Sequence, residues 1–143
     1  MSLLPERHRQ VVEYLNQRQP QQAIDLLQGL VAERPESGEL WDHLLAAYAM
    51  TEQYEEAEQA YLRCEQLGTL YPETLINAAH NARLWGRSDR LLYYGDQLME
   101  RFPEEHIIGL QFRTDALWQQ RKYAESLLAC EEILQLQPEK ISA

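Results

Sequence analysis

The sequence predicts an all-α fold made of four helical hairpins in series. Three observations carry that prediction. The 143 residues are 45% hydrophobic and 25% charged, rich in Leu, Gln, Glu and Ala and poor in β-branched types, a balance that favours helix. Four prolines, Pro35, Pro72, Pro103 and Pro138, each follow a helix-like run such as "AIDLLQGLVAERP" or "SLLACEEILQLQP", and proline stops a helix. Finally, Ala23, Ala57, Leu91 and Ser126 open these runs at intervals of 34, 34 and 35 residues. Four residues after each come Leu27, Tyr61, Gly95 and Cys130, and seven after come Leu30, Cys64, Leu98 and Ile133. Those offsets share one helical face, so each run presents a single apolar stripe.

A first helix precedes each of these, which makes the runs above the second helices. The segments are "PERHRQVVEYLNQ", "SGELWDHLLAAYAM", "PETLINAAHNARLW" and "HIIGLQFRTDALWQQ", with apolar residues at helical spacing, as in Trp41, Leu44, Leu45 and Tyr48. Short polar connectors, "RQ" at 18–19, "TEQ" at 51–53, "GRS" at 86–88 and "QRK" at 120–122, force the two helices of each pair antiparallel. The expected units are 4–37, 38–71, 72–105 and 106–139 within one domain spanning 1–143. One hairpin cannot bury its stripe alone, so stacking must bury it.

The period, the small residue of the second helix and the proline twelve residues later resemble the tetratricopeptide repeat. "WDHLLAAY" matches the family's first-helix pattern W-x-x-L-G-x-x-Y best, through Trp41, Leu44 and Tyr48, with Leu45 in place of the glycine. The first unit keeps Tyr14 but has Arg7 at the Trp position, the third has Leu75, Ala78, Ala79 and Ala82, and the fourth has Leu110, Arg113, Thr114 and Leu117 with one inserted residue. The resemblance covers roughly residues 4–138. It implies a right-handed superhelical solenoid with a concave groove lined by first helices, where peptides or extended segments bind. The corresponding positions here are His8 and Val12, then Asp42, Ala46 and Ala49, then Ile76, His80 and Arg83, and last Gln111, Asp115 and Trp118. One subtype of the family clamps a chaperone's C-terminal carboxylate with a Lys/Asn/Arg cluster. His8, Val12, Asp42 and Ile76 occupy that region here, which disfavours such a partner.

Charge and chemistry narrow the function. A net charge of −10, from 23 acidic and 13 basic residues, disfavours nucleic acid, whose phosphates need basic patches. Residues 36–71 alone hold eight acids against Arg63, either a solvated face or a docking patch for a basic partner. No run approaches the length of a membrane span, and the N-terminus turns polar too soon for a signal peptide, so a cytoplasmic protein is expected. Cys64 and Cys130 fall in apolar stripes and are expected as buried thiols. His8, His43, His80 and His106 are scattered at no metal-ligand spacing, and there is neither a phosphate loop nor a nucleophile elbow. No catalytic residue, metal or cofactor is therefore assigned. Gly95 sits where the resemblance prefers a large residue. Either Tyr93, Tyr94 or Trp85 fills the space, or a small pocket there accepts a partner's side chain.

The expected function is a non-enzymatic adaptor or scaffold that binds a protein or peptide segment in the groove. The rivals are a bacterial chaperone or assembly factor of a secretion system, and a fragment of a longer repeat protein. The polar first helix can cap the stack, whereas only "EKISA" follows Pro138. Leu127, Leu128, Leu134 and Leu136 cannot all face the preceding hairpin, which suggests self-association through the last one.

Overall fold

A computed structural model describes residues 4–137, in which eight α-helices and one short 3-10 turn occur and no strand does. Pro138, the fourth expected stop, lies outside the described residues, as does "EKISA". The helices are α1 (Leu4–Asn16), α2 (Pro20–Glu33), α3 (Gly38–Met50), α4 (Tyr54–Leu67), α5 (Pro72–Trp85), α6 (Ser88–Arg101), α7 (His106–Gln119) and α8 (Tyr123–Leu136). The chain forms two compact units, residues 1–77 and 78–143, with the boundary inside α5.

The repeat is written into the backbone of the turns. Arg18, Glu52, Gly86 and Arg121 are left-handed, with φ of 59°, 57°, 80° and 61°. Each precedes a residue whose amide reaches back five positions: Gln19 to the Tyr14 carbonyl, Gln53 to Tyr48, Arg87 to Ala82 and Lys122 to Leu117, at 2.8–3.0 Å. These are Schellman closures, which satisfy carbonyls that the helix end would leave orphaned. The second-helix ends differ from the proline rule in one place. α4 stops at Gly68, which is left-handed at φ 71°, and Pro72 instead opens α5. Glycine takes that conformation without a Cβ clash, so the helix ends before proline is reached.

In the first unit α1 packs on α2, α2 on α3 and α3 on α4. Ala23, Leu27 and Leu30 of α2 and Ala57, Tyr61 and Cys64 of α4 are fully buried, as the stripe requires. Each large apolar side chain buried this way is worth about 1.5–3 kcal/mol. Gly38 opens α3 against Thr69, whose side chain occupies the space a Cβ would need. Ser37 caps α3 by accepting the Leu40 amide at 3.4 Å.

In the second unit α6 packs on α7 and α7 on α8. Leu91, Gly95 and Leu98 are buried in α6, and Leu110, Phe112, Ala116 and Leu117 in α7. Gly95 faces the α7 backbone. A Cβ there would lie 2.9 Å from the Gly109 carbonyl oxygen and 3.3 Å from both the Arg113 nitrogen and the Phe112 Cβ. This overturns both expectations for Gly95: neither a neighbouring aromatic ring nor a pocket accounts for the glycine, because the next helix comes close enough to need it. The stripe weakens in α8. Ser126 and Ala129 are buried, but Cys130 and Ile133 are only half-buried, contrary to the buried thiol expected of Cys130. α8 packs on α7, so a narrow strip suffices and its other flanks stay open.

Candidate functional site

Of the expected groove positions, His8, Val12, Asp42, Ala46, Ala49 and Ile76 fall in the first unit. His80, Arg83, Gln111, Asp115 and Trp118 fall in the second. Each group has its own chemistry.

In the first unit the fold brings together two histidines that the sequence keeps 35 residues apart. His8 of α1 and His43 of α3 approach to 2.9 Å between their Nε2 atoms, with ring centroids 4.9 Å apart. At that distance one nitrogen must carry the proton and the other accept it. Glu39, one turn before His43, places its Oε1 3.4 Å from the same His8 nitrogen. Burial, then the neighbouring His8, hold His43 below the usual histidine range, while Asp42 and Glu39 pull the other way. Asp42 is half-buried and its carboxyl is raised above the usual range, by burial first, against a hydrogen bond with the Thr74 side chain. Among the described residues its Oδ1 has no hydrogen-bond partner. Val12 is 37% exposed, and Ala46, Ala49 and Ile76 are partly exposed, giving small apolar surface on the first helices.

Cys64 lies beneath this region. Its thiol donates to the Gly38 carbonyl at 3.7 Å, and burial, then the Asp42 charge, push its pKa up to about 12. Such a thiol is inert as a nucleophile. Arg63, the single base of the acidic 36–71 stretch, sits over the Trp41 ring at 5.3 Å and donates to the Pro35 carbonyl, which also accepts from the Trp41 indole at 2.8 Å.

In the second unit, Arg83 donates to His80 Nδ1 at 3.2 Å. Because a guanidinium only donates, this makes Nδ1 the acceptor and leaves Nε2 the protonated nitrogen of the neutral ring. The ring stands edge-on to Phe112 at 5.1 Å, and partial burial, then Arg83, lower its basicity. One turn of α7 beyond, Asp115 and Trp118 line an open pocket with Thr114, Tyr123, Ser126, Leu127 and Cys130. Trp118 is 63% exposed and packs its ring against Tyr123 at 4.7 Å. Leu127 and Leu128 are 60% and 65% exposed on the adjoining helix. The pocket is an aromatic and aliphatic cup with one carboxylate in its lining.

Sequence reasoning named Asp115 and Trp118 as groove positions, and the structure sets Tyr123 and Leu127 beside them in one pocket. It had marked Leu127, Leu128, Leu134 and Leu136 of α8 as apolar residues that cannot all pack, and all four are exposed. It missed the His8–His43 pair, for which no sequence spacing could have been a signal.

A family model described as "Bacterial transcriptional activator domain" matches residues 6–82, from α1 into α5 and more than half of the chain. The chain belongs to the bacterial transcriptional activator domain family. The helical-repeat resemblance read from the sequence therefore holds in its general form, while the family matched is this activator domain rather than the tetratricopeptide repeat by name. Among solved structures, the crystal structure of MamA protein superposes with a TM-score of 0.81 over 93% of this chain and 73% of that one, at 18% identity. That likeness is one of fold, an all-α helical-repeat solenoid. No curated protein sequence matches the chain. Among the described residues, no helix is long and apolar enough to cross a membrane.

Proposed function

We propose that this activator-domain chain is a non-enzymatic protein-interaction module that binds a partner segment through the exposed faces of its first helices. The observation that carries the reading is the pocket of the second unit. Asp115 and Trp118, expected from sequence to bind a partner, line an apolar cup with Tyr123 and Leu127. An exposed tryptophan set edge-on against a tyrosine is costly to leave in water and is the kind of group on which binding energy concentrates. Apolar contact at Trp118 supplies affinity, and Asp115 selects a basic or amide group on the ligand. In the first unit His8, Val12, Asp42, Ala46, Ala49 and Ile76 offer a second, smaller-stepped surface.

The family description supports a setting in transcription. The net charge of −10 favours contact with a protein of that machinery over contact with DNA. A second copy of the chain is a further candidate partner, because Leu127, Leu128, Leu134 and Leu136 of α8 are 43–65% exposed.

The test is affinity capture from the native host by the wild-type chain and by Trp118→Ala and Asp115→Asn, with mass spectrometry of what is retained. A partner captured by the wild type and lost in both variants supports the reading. Equal capture by all three removes the pocket from it. Sedimentation equilibrium of the wild type against Leu127→Glu/Leu128→Glu tests the second copy, and a concentration-independent monomer rejects it.

A further inference from the structure

We propose that His8, His43 and Glu39 form a binding site for a first-row divalent metal ion, with zinc as the fitting ion. Two imidazoles and a carboxylate are borderline ligands of the kind zinc takes. One donor atom from each of the three residues lies within 4.8 Å of the other two. His8 Nε2 is 2.9 Å from His43 Nε2 and 3.4 Å from Glu39 Oε1. Tetrahedral zinc with bonds near 2.05 Å holds its donors about 3.3 Å apart. The two rings thus need to part by only a few tenths of an ångström for a metal to replace the proton that joins them.

The placement favours a built site over a chance surface cluster. The ligands come from two helices, and His43 and Glu39, four residues apart on α3, share one face of it. Both rings are only partly exposed and turn Nε2 toward the other. Three protein ligands leave one position of a tetrahedron open to water or to a donor from a partner. A bound ion would tie α1 to α3 and fix the mutual position of two first helices of the first unit.

Isothermal titration of zinc chloride into the untagged, metal-free chain tests this. The expected result is one saturable site per chain. His8→Gln and His43→Gln each abolish it, and Glu39→Gln weakens it about 10- to 100-fold, a range borrowed from losses of supporting groups around metals. His106→Gln is the control. His106 faces Glu132 at 3.8 Å in the second unit, with no third ligand among the described residues, and its loss leaves the titration unchanged. Should a variant fail to fold, the wild type decides by itself: on adding zinc, the imidazole proton resonances of His8 and His43 shift together at one equivalent while those of His80 and His106 stay. No saturable heat, a titration insensitive to His8→Gln and His43→Gln, or shifts led by His106 would overturn the proposal and leave the pair a hydrogen bond between helices.

Discussion

Replacing Gly95 by alanine should destabilise the chain, although the same change at Gly29 should stabilise it. By helix propensity alone, Gly→Ala gains about 1 kcal/mol. At Gly95 the added Cβ would stand 2.9 Å from the Gly109 carbonyl oxygen, with two further atoms at 3.3 Å. The obstructing atoms belong largely to the α7 backbone, which cannot rotate away as a side chain can. Nor can α7 retreat freely, since Arg113 is bonded to Asp96 of α6 at 2.9 Å and Gly109 is pressed against Met99. Overpacking of this kind costs about 1–3 kcal/mol. With the propensity gain set against it, a net loss of about 1 kcal/mol is expected. Gly29 of α2 is the internal control, because a Cβ there meets nothing within 4 Å. Gly29→Ala should gain about 0.5–1 kcal/mol. The two variants therefore differ by about 2 kcal/mol, or roughly 6–10 °C in Tm for a chain of this length. Urea and thermal unfolding by circular dichroism measure the totals. Tryptophan fluorescence locates the change, since Trp85 and Trp118 report on the second unit and Trp41 on the first. If Gly95→Ala raises Tm as much as Gly29→Ala does, the close approach of α6 and α7 is not a packed contact and the reasoning fails.

Three other outcomes are expected. Gly86→Ala puts a Cβ on a residue at φ 80° and should cost about 1–2 kcal/mol, read as a lower urea midpoint. Glu52→Ala, at a turn that already tolerates a side chain at φ 57°, should change the midpoint by a few tenths at most and serves as its comparison. An aromatic disulfide reagent at neutral pH should modify Cys130 in the native chain and reach Cys64 only on unfolding, because Cys64 is fully buried with a pKa near 12; rapid modification of both would contradict that burial. His80 has a folded pKa lowered from 6.5, so the unfolded chain binds more protons just below that pH. Its contribution to stability should fall as pH drops below 6.5 and level off beneath the folded pKa. A His80→Gln chain should lose that part of the slope, and an NMR titration placing His80 above 6.5 would reverse the sign.

The local devices were legible because they depend on neighbours in the chain. The 34-residue period, the helices and the buried stripe of Ala23, Leu27 and Leu30 follow from side-chain spacing on a 3.6-residue turn, and all appear in the structure. Proline was a poorer guide at Pro72, where a left-handed glycine ended the helix first. The candidate pocket was half legible. Asp115 and Trp118 were named from the groove positions that the repeat resemblance implies, and Leu127 was expected as surplus apolar surface, but that Tyr123 and Leu127 line one pocket with them depends on how α8 meets α7.

What the sequence by itself determined is an acidic, all-helical chain of repeated hairpins, since composition and periodicity act within a few turns of one helix. What only the tertiary structure decided is which residues from different helices meet. Gly95 against Gly109 and His8 against His43 are contacts between elements whose distance along the chain sets no distance in space. Their geometry comes from how closely α6 approaches α7 and how α1 lies against α3, and that is fixed by the joint packing of many side chains rather than by any one stretch of sequence.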